Sequence, residues 1–374
     1  MMERTHSELH THLMGMLSLK GLLKLLYKMG YPGFPVNHNG ELDFDNPVMR
    51  IEPTEKICRA LVVPMGEHVE YAYLDVLYTN RPAILADLAK TTLKYTDMSE
   101  RELLDFIYSE YLNASLEELI DQEVDYVEIS SSNSRLMAYL LENIPDSTKD
   151  KIKVTFLLCT DRVRPVKNLS KDVDNLEAAL QEGFGIGFDF MGREVPFDYT
   201  EVSKKKPSNS VNSFTAKLDM IIETLKDYPN SVLRIHAGEN EESRCNPLLT
   251  LKMIDQIATQ RGIKIPPPEI RLGHAIYFDD CDEYLELLKR YKCIVEINAV
   301  SNLALSNISN IYNIPYNYYL DNGIPVVLST DGAGVYDTSI PSQNEIAALV
   351  AKSNNLEAIR TIDKKLLAKK LRGN

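Results

Sequence analysis

The feature that most limits what this chain can fold into is a regular alternation of short apolar runs with longer helical stretches. Runs of strand length recur at Tyr126–Ile129, Val154–Leu158, Ile186–Phe190, Val232–Ile235, Ile270–Leu272, Ile294–Ile297 and Val326–Leu328. Helical stretches separate them, for example 211–226, 247–261 and 281–291. Strands that alternate with helices pair in parallel through right-handed crossovers. Glu-Leu-His-Thr-His-Leu, residues 8–13, alternates too and supplies a first strand, which makes eight. Eight such units in 374 residues predict one (β/α)8 TIM barrel spanning 1–374. An open doubly wound sheet is the runner-up, but no G-x-G-x-x-G follows the first strand.

A helical insertion interrupts the pattern after the first strand–helix unit. Ser18 caps a helix whose Leu19, Leu22, Leu23 and Leu26 share one face, and Gly30 stops it. Residues 31–52 are rich in Pro, Gly and Asn, and 53–98 read as mostly helical. The segment 31–98 is too long for an ordinary connection, so a lid or an oligomer contact is expected there. Ser99-Glu-Arg-Glu and Ser115-Leu-Glu-Glu have the form of capping boxes and predict the starts of two more helices.

Composition sets limits on partners. A formal net charge of −13 argues against general binding to nucleic acid or to an anionic membrane. The five cysteines are scattered, with no C-x-x-C, as expected of free thiols in a reducing compartment. The N-terminus is polar rather than signal-like, and no apolar run reaches transmembrane length. A cytoplasmic protein is the expectation, as a monomer or a homo-oligomer.

A parallel barrel keeps its chemistry at the C-terminal ends of its strands. Asp331 stands there, after Val326–Leu328. So do His10 and His12, which as residues i and i+2 of a strand aim the same way. His236 closes the fifth strand and His274 the sixth, so four of the seven histidines end strands. Taken singly, each has a bland reading: a helix cap for Asp331, a satisfied core residue for a lone histidine. Together, three imidazoles and a carboxylate suit Zn2+ with one position left for water. Zinc lowers the pKa of such a water to about 7. A further histidine and a glutamate can then serve as base, acid and orienting group.

The ordered motifs resemble the adenosine deaminase family of amidohydrolase-type barrels, from residue 7 to about residue 345. They are Glu8-Leu-His-Thr-His-Leu13, Gly187-Phe-Asp-Phe-Met-Gly-Arg-Glu194, His236-Ala-Gly-Glu239, Gly273-His274, Glu296-Ile-Asn-Ala-Val-Ser-Asn302 and Ser329-Thr-Asp331. The resemblance implies one Zn2+ per chain, bound by His10, His12, His236 and Asp331. It implies that His274 and Asp331 orient the attacking water and that Glu239 protonates the purine ring. The backbone of Gly192 would meet the purine. The implied reaction converts an adenine nucleoside or nucleotide to its inosine form and releases ammonia.

Two positions depart from the family pattern. Met14 stands where an acid contacts the ribose, and Gly332 where a second aspartate holds the five-membered ring. Losing the acid removes a charge that would repel a 5′-phosphate. Branches that deaminate nucleotides, some of them antiviral, make such a change plausible. Arg193 and the Lys204-Lys205-Lys206 run are the candidate phosphate contacts. The alternatives are a deaminase of another aminopurine or a pterin, and a non-catalytic binding or assembly protein. A two-metal site would need a bridging lysine on the fourth strand, and Gly185–Glu194 has none. The zinc cytidine deaminases are excluded by the missing C-x-x-C.

Overall fold

A computed structural model describes residues 6–31, 34–46, 81–198, 209–263 and 268–372. Eight strands lie in sequential order: β1 His6–His12, β2 Val124–Ser131, β3 Lys153–Asp161, β4 Gly185–Met191, β5 Val232–Ala237, β6 Glu269–His274, β7 Ile294–Ile297 and β8 Val326–Leu328. Each pairs in parallel with the next. A parallel bridge between Thr11 and Asp331 joins β1 to the end of β8 and brings the ring nearly to closure. The fold is a (β/α)8 barrel.

The strands run past their apolar centres because two faces must be filled. Val127, Ile129, Phe156, Leu158, Phe188, Phe190, Leu233 and Ile235 belong to the main apolar core shared with the surrounding helices. Residues of the other parity are largely polar. Glu8, His10, Glu128, Ser130, Asp189, Arg234, His236, Arg271 and Glu296 are all buried. A barrel interior is ordinarily filled with Val, Ile and Leu, so charge here demands internal pairing. Arg234 donates to Glu296 at 2.8 Å and to Ser130 at 2.9 Å. Arg271 donates to Glu128 at 2.6 Å, Glu269 at 2.6 Å and Glu296 at 3.0 Å. Lys370, on the last helix Ser353–Arg372, adds contacts of 3.3 Å to Glu128 and 3.5 Å to Glu269.

Ser18 caps the helix Leu19–Lys28, accepting from the Gly21 N–H at 2.9 Å, and Gly30 follows it at φ +83°. Ser99 and Glu102 form the expected capping box. The second box does not form. Ser115 lies inside one continuous helix, Glu100–Asp121, and its hydroxyl donates to the Tyr111 carbonyl at 2.8 Å. The buried series Leu112, Leu116 and Leu119 carries the apolar face straight through, so nothing breaks the helix there. Arg81–Thr92 is helical as expected. Phe34, Leu42 and Phe44 pack with this helix and with Leu19–Lys28. Most of the segment expected to form a lid, residues 47–80, lies outside the described residues. Among the described residues no helix is long and apolar enough to cross a membrane.

Candidate active site

The strand-end histidines converge. Ring centroids lie 4.6 Å apart for His10 and His236, 5.2 Å for His12 and His236, and 5.1 Å for His236 and His274. Their nitrogens and two carboxylates form three overlapping triads able to hold a metal ion: His10, His12 and Asp331; His10, His236 and His274; His12, Asp189 and His236. Among the described residues no one group holds His10, His12, His236 and Asp331 together; they are linked through shared members. Asp331 Oδ1 lies 3.3 Å from His12 Nε2 and 3.7 Å from His10 Nε2.

The surroundings fit a cation. His10 Nδ1 hydrogen-bonds to Glu296 Oε2 at 2.8 Å. That partner fixes the tautomer and turns the Nε2 lone pair into the cluster. His10 Nε2, His236 Nε2 and Asp189 Oδ1 are buried without a hydrogen-bond partner. Buried polar atoms are rarely left so, and a cation bound among them would supply the missing partners. Burial, reinforced by Arg234, drives the His10 pKa well below the ordinary range, which keeps the ring neutral as a ligand must be. Burial also disfavours charge on Asp331 and His12, but each overcomes this through the other. The His12 hydrogen bond and the nearby imidazoles hold Asp331 ionised, and Asp331 raises His12.

Gly273 packs directly against the His10 ring. A Cβ there would stand 2.7 Å from His10 Cε1, so only glycine lets the ring lie against β6. His274 and Asp331 both adopt left-handed backbone, φ +68° and +66°. Such conformations are uncommon away from glycine and cluster at functional sites. The Asn302 amide donates to His274 Nδ1 at 3.0 Å, which leaves Nε2 to carry the proton of the neutral ring.

Glu239 lies partly buried beside this cluster. Burial and the Asp331 charge push its carboxyl up to about 7. Glu194 holds its backbone, accepting from the Gly238 N–H at 2.9 Å and the Glu239 N–H at 2.6 Å. Arg162 pairs with Glu194 at 3.1 Å and donates to the His236 carbonyl at 2.6 Å. Asn307 Nδ2 lies 3.4 Å from Glu239 Oε1. Sequence reasoning missed Asp189, Glu194, Arg162 and Asn307 as members of this arrangement. For Asp189 and Glu194 a signal existed, since both stand in the fourth-strand motif as acids beside apolar residues.

The proposed substrate contacts have mixed surroundings. Gly192, at φ +96°, faces the Asp161 carboxyl. Arg193 is exposed. Met14 is partly buried against the apolar core, and its carbonyl accepts from Tyr111 at 2.8 Å. Gly332 packs on Gly15: a Cβ on Gly332 would stand 3.2 Å from the Gly15 Cα. Lys204–Lys206 lie outside the described residues.

No protein-family profile matches the chain. It is 24% identical over 280 residues to an adenosine deaminase of Enterococcus faecalis, covering 69% of this chain and 73% of that one. It is 24% identical over 336 residues to an adenosine deaminase of Clostridium acetobutylicum, covering 89% and 83%. Among solved structures it superposes on the N6-methyl-AMP deaminase of Arabidopsis thaliana with TM-score 0.59 at 18% identity, covering 98% of this chain and 95% of that one. An Arabidopsis ADAL complexed with IMP gives 0.56 at 19%, covering 96% of each. A zinc-bound amidohydrolase from Burkholderia ambifaria gives 0.55 at 15%, covering 96% and 84%. Fold and cluster thus define a (β/α)8 barrel with a histidine–aspartate centre at its strand ends. By sequence, the chain is a relative of curated adenosine deaminases.

Proposed function

We propose that the chain is a zinc-dependent hydrolytic deaminase of an adenine nucleoside or nucleotide, producing the inosine form and ammonia. The observation that carries this reading is the placement of Glu239, a partly buried carboxyl poised near neutrality, beside a histidine–aspartate cluster with unpartnered ligand atoms. The curated relatives named adenosine deaminase support the reaction class.

His10, His12, His236 and Asp331 would hold the cation. When bound, it supplies the Lewis acidity that lets water act as a nucleophile at neutral pH. The protein does the rest. His274, oriented by Asn302, presents Nε2–H to the attacking water, and Asp331 accepts from that water. Glu239 in its acid form protonates the adjacent ring nitrogen, which breaks aromaticity and opens the amine-bearing carbon to attack. The Arg162–Glu194 pair keeps the turn carrying Glu239 in place.

A nucleotide is the favoured substrate, because Met14 removes a charge that would repel a phosphate, and Arg193 is exposed beyond β4. Solved neighbours described as an N6-methyl-AMP deaminase and as an IMP complex accord with this. A second reading, another aminopurine or a pterin, is favoured by one observation. Gly332, pressed on Gly15, offers no carboxylate to the five-membered ring of a purine. Ultraviolet change and ammonia release across adenosine, AMP, ATP, dATP, other aminopurines and a pterin separate these cases. Turnover of free adenosine alone ends the nucleotide reading. Turnover of none of the adenine compounds ends the main one.

A further inference from the structure

The third strand ends on a carboxylate that the proposed reaction leaves idle. In β3, Phe156 and Leu158 belong to the apolar core, and the Thr160 hydroxyl donates to Asp172 of the helix Val166–Gln181 at 3.2 Å. That parity faces the helices, so Cys159 and Asp161 face the barrel interior. The ladder agrees: Cys159 lies opposite Asp189 and Asp161 opposite Met191. One strand further on, Phe190 lies opposite Ile235, which brings Met191 level with His236. Asp161 thus stands on the rung of a proposed metal ligand, at the mouth of the barrel, and it is exposed. Its carboxyl meets the Gly192 backbone: a Cβ on Gly192 would stand 2.9 Å from Asp161 Oδ1. Oδ1 accepts from the Val163 N–H at 2.9 Å. Among the described residues Oδ2 accepts no hydrogen bond, and the carboxylate joins no ion pair.

We propose that Asp161 is a specificity-determining residue whose free oxygen accepts a hydrogen bond from a substrate donor beside Gly192. The inference deepens the deaminase reading above and rests on it. Binding sites fix a ligand's orientation with a few placed polar groups. Met14 and Gly332 offer no side-chain carboxylate, and Asp161 supplies an acceptor from a different strand. On a purine nucleoside whose ring meets the Gly192 backbone, two groups flank that edge and can donate: the sugar 2′-hydroxyl and a 2-amino group on the ring. A hydrogen bond from either to an ionised carboxylate is of the stronger kind.

The test measures kcat and KM of the full chain on adenosine, 2′-deoxyadenosine, 2-aminoadenosine and their 5′-monophosphates. Asp161→Asn is the main variant. It keeps Oδ1 for the Val163 N–H and puts an NH2 donor where the free acceptor stood. The wild type should favour the substrate carrying the decisive donor over its matched analogue by about tenfold or more in kcat/KM, chiefly through KM. In Asp161→Asn the favoured substrate should fall to the level of its analogue. Collapse of the adenosine to 2′-deoxyadenosine ratio identifies the hydroxyl as the donor. Collapse of the 2-aminoadenosine to adenosine ratio identifies the amine. A variant that keeps both wild-type ratios overturns the proposal. So does one that lowers every substrate by the same factor, which is the mark of a merely structural role. Should the Asn variant not fold, Asp161→Ser retains one oxygen for the turn and faces the same two outcomes. A wild type that shows neither preference overturns the role of Asp161 and leaves the deaminase reading standing. A wild type that deaminates none of these compounds sinks that reading, and the inference with it.

Discussion

Glu239 needs two properties to act as an acid at neutral pH, a proton and a fixed position. Burial and the Asp331 charge provide the first by raising the carboxyl to about 7, and Glu194 provides the second. Glu239→Gln should lower kcat by about 100- to 10,000-fold while metal content, measured by elemental analysis, stays the same. The sign of the pH effect follows. The working form is the protonated one, so deamination should fall as pH rises through about 7, and a rate that keeps climbing past that point counts against the assignment. Gly273→Ala makes a different demand. Its Cβ would displace the His10 ring, so metal affinity, read by chelator competition, should fall by about tenfold or more with little change elsewhere. At this scale the sequence was legible where a residue type is costly to bury without purpose. His10, His12, His236, His274 and Asp331 stood at strand ends and declared themselves. Asp189, Glu296 and Asn302 did not, because a polar residue's role depends on what another strand brings opposite it.

At the level of elements, the seven later strands were legible from apolar runs alone, but their ends were not. β2 continues to Ser131 and β3 to Asp161. Ser130, just past the apolar run of β2, pairs with Asp189 of β4 inside the barrel, which hydrophobic pattern cannot register. Ser115 shows the converse: a local capping signal was overridden by an apolar face running through Leu112, Leu116 and Leu119. The charged interior makes a further prediction. Arg271 joins Glu128 of β2, Glu269 of β6 and Glu296 of β7. Arg271→Met leaves Glu128, Glu269 and Glu296 with Arg234, Lys369 and Lys370 as their cationic neighbours and removes the guanidinium that joins all three. Breaking a buried pair in this way costs about 3–5 kcal/mol, so denaturant melts should show a loss of that order. A variant within about 1 kcal/mol of wild type would mean that the acids take up protons without penalty.

The molecule as a whole has one weak seam, and the proposed metal lies on it. Every neighbouring strand pair from β1 to β8 shares a ladder of several residues, whereas β8 meets β1 through the Thr11–Asp331 bridge. Two backbone hydrogen bonds hold that bridge, from the His12 N–H to the Asp331 carbonyl at 3.2 Å and from the Asp331 N–H to the His10 carbonyl at 2.9 Å. Glu8 helps from within, accepting from the His10 N–H at 3.0 Å and the Thr330 N–H at 3.1 Å. The side chains of His10, His12 and Asp331, which flank the bridge, are ligands in the proposed centre. A cation bound there ties the first strand to the last and, through His236, to the opposite half of the ring. A ligand present at about a thousand times its dissociation constant stabilises by about 4 kcal/mol. Stripping the ion with a chelator should therefore lower the melting temperature by several degrees, and adding Zn2+ back should restore it. The location of the loss is the sharper test. Amide hydrogen exchange at His12 and Asp331 should speed up in the stripped protein far more than exchange in the β2–β5 ladders. Uniform acceleration across all eight strands would show that the ion stabilises the barrel without pinning this seam.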